Sequence, residues 1–224
     1  MTTYAPGRRT AALLLLAVSA CAPAARGPAA SAPEPRASAS DARAQADSVR
    51  RSYTAADVQF MTHMIGHHAQ AIAMARWAPT HGANPSVRIL AERIINAQQD
   101  EIATMQQWLR VRHQPVPEAK PAGVTMMTNG VEHVMLMPGM LTDDQMKQLD
   151  AARGPDFDRR FLTFMIQHHQ GALTMVDQLF GSHGAAQEDM IFKLASDVSA
   201  DQSTEVARMQ TMLAAMPPET RSSR

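Results

Sequence analysis

The chain has 224 residues, with 21 Lys and Arg against 21 Asp and Glu, 4% aromatic residues, 17 methionines and one cysteine. A balanced charge with no basic stripe gives no electrostatic footprint for nucleic acid, and a single cysteine excludes an internal disulfide framework. With so few rings the core must be built of Ala, Leu, Ile and Met, and the methionine excess calls for its own explanation.

The first ten residues hold Arg8 and Arg9 and no acid, Ala11 to Ala20 form an apolar run, and Val18-Ser19-Ala20 leads into Cys21. This predicts a signal peptide over residues 1–21 ending in a lipobox, with lipid on Cys21 as the membrane anchor. The run falls short of the roughly 20 residues that a permanent spanning helix needs. Two alternatives stay open: ordinary cleavage near Ala25, and twin-arginine export through the Arg-Arg pair. Residues 22–52, rich in Ala, Pro, Ser and Arg, predict a disordered tether reaching on the order of 30 Å. Without the leader, 19 basic residues stand against 21 acidic ones. The expected location is the cell envelope, at the periplasmic face of the outer membrane in a Gram-negative host.

Residues 53–216 predict one domain and 217–224 a disordered tail. Asp57 to Met74 aligns with Asp158 to Met175 at a constant offset of 101, matching Asp, Phe, Thr, Met, Ile, His-His, Ala and Met. A second pair follows, Gln98-x-x-Glu101 to Leu109 and Gln202-x-x-Glu205 to Leu213, at an offset of 104. An internal duplication of two helical segments is the reading. Thr54 with Asp57, Asn84-Pro85 and Pro155-Asp156 are helix starts, Glu188 and Asp189 suit the start of the fourth helix, and Pro217-Pro218 ends it. Thr142 with Gln145 predicts a short extra helix at about Asp143 to Ala152. The expected fold is all-α: a four-helix bundle of two duplicated αα-hairpins with a long, Met-rich crossover connection from Arg112 to Gly154.

At about 100° per residue, Phe60, His63, Met64, His67, Ala71 and Met74 share one face, with His68 on its shoulder. Phe161, Met165, His168, Ala172 and Met175 repeat the face, with His169 on the shoulder and Phe164 in place of His63. Glu101 and Glu205 fall on the inward faces of the partner helices. Inward His and Glu suggest either mutual hydrogen bonding or a shared ion. Imidazole and thioether together are soft donors, which favour Cu(I) over Mg²⁺, Ca²⁺ or Mn²⁺. Thioethers also form no disulfides in an oxidising compartment, although they can become sulfoxides. The connection adds Met126, Met127, His133, Met135, Met137, Met140 and Met146, either as an apolar plug or as a second, looser copper site.

At these residues the chain resembles the domain of unknown function 305 family, whose repeats read like Phe-x-x-x-Met-Ile-x-His-His-x-x-Ala-x-x-Met. The likeness covers about Tyr53 to Met216, including Met137-Pro-Gly-Met140. It implies a ferritin-like fold and a copper-linked role in the cell envelope. Carried over, the candidate ligands are Met64, His67, His68 and Met74 in the first copy and Met165, His168, His169 and Met175 in the second. His63 has no counterpart. The expected function is therefore copper sequestration or transfer by a lipoprotein without substrate turnover, with a homodimer through the shoulder histidines as an open possibility. Two other classes compete: a ferritin-like di-metal redox protein, and a metal-free structural bundle. Thr104 and Arg208 stand where the Glu-x-x-His pairs of the di-metal class would need histidine.

Overall fold

The computed structural model describes residues 38, 40, 53–121, 123–128 and 131–218, the side chains of 124–134 excepted. The expected leader with Cys21, nearly all of the tether, and the tail beyond residue 218 lie outside the described residues. The chain divides after Ser38, and the bundle belongs to the unit Ala39–Arg224.

Local sequence sets the helix starts. Helix α1 (Ala55–Ala75) follows Thr54, whose hydroxyl accepts from Asp57 N at 3.3 Å while Thr54 N donates to Asp57 Oδ2 at 2.7 Å. These bonds satisfy N–H groups that a helix start leaves without an intrahelical partner. Helix α2 (Pro85–Val111) follows Asn84, whose Oδ1 accepts from Ser86 N and Val87 N. Helix α3 (Asp143–Ala151) repeats the capping box with Thr142 and Gln145. Helices α4 (Gly154–Gly181) and α5 (Asp189–Ala214) start without a side-chain cap bond. α1 packs on α2, α4 packs on α5, and α1 meets α4 across the middle, giving the expected all-α four-helix bundle.

The connection departs from expectation in one respect. It carries an antiparallel hairpin, β1 (Val124–Thr128) with β2 (Val131–Met135), paired from Val124–Met135 to Thr128–Val131. The cue was present in the sequence: two runs containing β-branched residues separated by Asn129-Gly130, a pair suited to a two-residue hairpin turn.

Buried apolar side chains form two clusters. Phe60, Met64, Met105, Trp108, Met175 and Ile191 belong to one, and Met74, Leu90, Ile94, Phe161, Met165 and Met209 to the other. Membership changes at residues 94–102 on α2, 165–172 on α4 and 198–206 on α5; on α1 the change falls around residue 70, where Ile72 stays with the first cluster. Between the clusters lie buried polar residues: His67 and His68, Gln98, His168 and His169, and Gln202.

The duplicated aspartates cross-lock the hairpins. Asp57 Oδ1 accepts from Ala186 N at 2.7 Å, in the turn between α4 and α5. Asp158 accepts from Asn84 N at 3.1 Å and Asn84 Nδ2 at 2.9 Å, in the turn between α1 and α2. Each repeat's first helix thus holds the other repeat's turn. Burial pushes the Asp158 carboxyl up, against the Asn84 hydrogen bonds that lower it.

The second half of the connection lies on α1 and α4. Gln70 Nε2 donates to Leu141 O at 3.0 Å and Leu141 N donates to Gln70 Oε1 at 2.7 Å, while Gln167 Nε2 donates to Gly139 O at 3.2 Å. Gly139 has φ +76°, in the left-handed region, and its backbone sits against Gly171 of α4. A Cβ on Gly171 would lie 2.0 Å from Pro138 O. Met137, Met140 and Leu141 are buried by this seating, as a plug requires. Among the described residues no helix is long and apolar enough to cross a membrane.

Gly171→Ala should therefore unseat the Pro138-Gly139 turn and lower stability by about 1–3 kcal/mol while preserving helix content. Urea unfolding followed by circular dichroism measures both, and unchanged stability would contradict the tight seating.

Candidate metal centre

Four histidines occupy the middle of the bundle: His67, His68, His168 and His169 each have 0% exposure. His68 and His169, on the shoulder of the core stripe by helical period, are no more exposed than the residues at its centre. The shoulder of α1 faces α2 and that of α4 faces α5, so these two rings are as buried as their neighbours. They offer no surface for pairing with a second chain.

Three of the four rings have Nε2 close to an oxygen, and two of these contacts are hydrogen bonds. His67 Nε2 donates to Pro138 O at 2.9 Å. His169 Nε2 donates to Glu205 Oε2 at 2.7 Å. His68 Nε2 also lies 2.7 Å from a carboxylate oxygen, Glu101 Oε2, but off the line that a hydrogen bond requires. The His–Glu alternative set out from sequence thus takes the form of two matching pairs, one in each repeat. Glu101 and Glu205 keep 15% and 20% side-chain exposure, so the carboxylates sit at the edge of the layer rather than within it.

The other ring nitrogens have no such partner. Nδ1 of His67, His68 and His169 and both ring nitrogens of His168 are buried without a hydrogen bond inside the protein. The His67 and His168 rings face each other, their centroids 3.9 Å apart and their planes tilted by 42°. Burial, reinforced by the neighbouring His68, pushes the His67 imidazole down to about 3. Burial and then the adjacent His67 hold His168 well below the ordinary histidine range. Both rings are neutral at physiological pH, with lone pairs free to bind.

The Gln98 and Gln202 side chains complete the layer, buried and without hydrogen bonds. With Glu101, Asp201 and Glu205 they line a cavity of about 170 Å³ between α2 and α5. Burial, then Glu101 and Glu205, raise the Asp201 carboxyl. Both glutamines were legible as members of the duplicated Gln-x-x-Glu segments. The Pro138 carbonyl was not, because no side-chain pattern marks a main-chain acceptor.

The candidate methionines do not all converge. Met64 and Met165, one turn from His67 and His168, are fully buried in the two apolar clusters that flank the histidines. Met74 and Met175 lie seven residues from the same histidines, roughly 10 Å along the axis, too far to share an ion with them. His63 is not an inner residue: it is half-buried and lines a separate cavity near the surface, where desolvation lowers its pKa. Of the connection's methionines, Met135 is exposed and Met146 partly buried, while the side chains of Met126, Met127 and His133 lie outside the described residues. Among the described residues no group of three or more His, Cys, Asp or Glu side chains is arranged to hold a metal ion. The donors gathered in the layer are imidazoles with thioethers one turn away, a set suited to a soft ion and unsuited to Mg²⁺ or Ca²⁺.

Burial of neutral histidine carries a pH signature. A folded-state pKa held below the unfolded value near 6.5 gives stability that is whole above that pH and lost as pH falls toward the folded value, by up to about 1.4 kcal/mol per pH unit for each ring. His67 should stay neutral down to about pH 4. Nitrogen-15 imidazole NMR reads this directly, and a His67 ring titrating near pH 6 would contradict it.

Comparison with known proteins agrees with this architecture. The family model described as Domain of unknown function (DUF305) matches residues 57–213. Among solved structures, a DUF305 fragment from Deinococcus radiodurans is similar at 26% identity and a TM-score of 0.61, covering 73% of this chain and 99% of that one. A DUF305 protein from Streptomyces coelicolor is similar at 28% identity and a TM-score of 0.59, covering 71% and 92%. CopM in its Cu(I)-bound form is similar at 28% identity and a TM-score of 0.53, covering 70% and 95%. Uncharacterized protein L153 of Acanthamoeba polyphaga mimivirus is 36% identical over 58 residues, which make up 26% of this chain and 38% of that protein. Its duplicated His-His helices, its bundle and this match over most of its length make the chain a member of the DUF305 family.

Proposed function

We propose that the chain is a copper-binding protein of the cell envelope that holds Cu(I) at its central histidine layer for sequestration or transfer, without turning over a substrate. One observation carries the reading: three buried imidazoles have Nε2 turned to an oxygen and Nδ1 left bare. Ligating histidines commonly have this arrangement, the outer N–H directed to a carboxylate or carbonyl and the other nitrogen facing the ion. His67, His68, His168 and His169 would hold the ion, with Met64 and Met165 as adjacent thioethers. Glu101 and Glu205 would orient the rings and offset the cation's charge. Copper itself supplies the cargo, a soft d¹⁰ ion in its reduced form.

Likeness to CopM supports the choice of metal, since that protein is known in Cu(I)-bound, Cu(II)-bound and Ag-bound forms. The absence of turnover is supported by the carboxylates: Glu101 and Glu205 each face a histidine, whereas a di-metal oxidase uses bridging carboxylates. Export rests on the Arg8-to-Cys21 leader pattern, and the Streptomyces coelicolor relative has likewise been assigned as secreted. Lipid on Cys21 would tether the bundle to the membrane.

Competition for Cu(I) against a chromophoric chelator tests the reading. Glu101→Gln with Glu205→Gln should weaken binding by about 10–100-fold, the usual cost of losing such orienting partners, and His67→Ala with His168→Ala by more. Parent-like affinity in the histidine double variant would sink the central site.

A further inference from the structure

His63 stands outside the central layer, and its cavity has a composition of its own. The cavity, about 130 Å³, is lined by His63 and Phe60 of α1, Met137 and Pro138 of the connection, and Met175 and Leu179 of α4, among others. Both methionines are buried, yet the space beside them stays open, although Met is the side chain best able to fill an irregular gap. The volume suits an ion or a few waters and is too small for an organic ligand. His63 has no hydrogen-bond partner among the described residues.

We propose that His63, Met137 and Met175 form a second, outer site for a soft monovalent cation of the Cu(I) class, distinct from the histidine layer. This rests on the copper-binding reading of the chain and assigns ligands outside the central four histidines. One imidazole and two thioethers make a soft, neutral, three-donor set. It arises only once because the duplication is broken in two ways at the same place. The second repeat has Phe164 where the first has His63, and the single connection brings Met137 to the first repeat's side. Met175, two turns from His168 and useless to it, faces this cavity instead.

The outer site is joined to the inner layer. Met137 is followed by Pro138, whose carbonyl accepts the His67 Nε2–H at 2.9 Å. His63 is one turn from His67 on α1, about 6 Å along the axis. An ion held by Met137 would fix the turn that orients His67, and it would sit one helical turn from the next imidazole. The arrangement fits capture near the surface followed by passage inward.

Titration of the full chain, carrying carbon-13 methionine methyls, with Ag(I) tests the site without redox chemistry. The Met137 and Met175 resonances should shift together, and His63→Phe, which copies the second repeat, should abolish both shifts and remove one bound equivalent. Met137→Leu, close to it in volume, should remove the same equivalent. Unmoved Met137 and Met175 resonances in the parent, or full stoichiometry in both variants, would overturn the outer site. The central reading is scored separately by the Met64 and Met165 resonances in the His67→Ala, His168→Ala variant, so either site can fail alone.

Discussion

The hydrogen bond from His67 to the carbonyl of Pro138 ties together the features on which the rest of the molecule depends. It fixes the tautomer of a ring buried in the centre of the bundle, placing the proton on Nε2 and leaving Nδ1 bare. It also holds the crossover connection against α1, where Gln70 and Gln167 complete the clamp. Gly171 allows the approach, since a side chain there would meet the same carbonyl. Burying an imidazole without a full set of partners costs free energy, so a plain core would place an apolar residue here. The His-Gln layer instead separates two apolar clusters, and those clusters, with the crossed Asp57 and Asp158 locks, supply the stability that the layer lacks.

Duplication explains the paired features, and the connection explains the unpaired ones. Two His–Glu contacts, two aspartate locks and two buried glutamines follow from repeated sequence on pseudo-equivalent helices. One connection cannot serve two equivalent faces. Equivalent positions therefore diverge where it lands: Gly66 and Gln70 in the first repeat face Gln167 and Gly171 in the second, with Gln70 holding Leu141 and Gly171 admitting Pro138. Phe164 in place of His63 belongs to the same break in symmetry.

Much of this was legible in the sequence because it is local. The capping boxes at Thr54 and Thr142 and the Asn84-Pro85 start bond within a few residues, so the pattern carries the geometry. The inward direction of His67 and His168 followed from helical period alone. Burial of His68 and His169 did not, because one helix seen by itself cannot show that its shoulder is covered by a neighbour. Grouping Met74 with His67 and Met175 with His168 failed for a related reason: a shared face is not a shared depth, and seven residues separate each pair along the axis. The long-range partners, Ala186 for Asp57 and Pro138 for His67, are main-chain atoms that residue identity does not mark. The hairpin of β1 and β2 had its cue in the β-branched runs on either side of Asn129-Gly130, a stretch whose methionines point to a different role.

The proposed copper site depends on the bare imidazole nitrogens of the buried layer. A crystal structure of the Ag(I)-loaded chain, phased on the metal's anomalous scattering, tests it most directly. A peak is expected within the central layer at bonding distance from Nδ1 of His67 or a ring nitrogen of His168, with the His67–Pro138 contact retained. Silver confined to the surface, with the layer empty and the histidines unmoved, would contradict it.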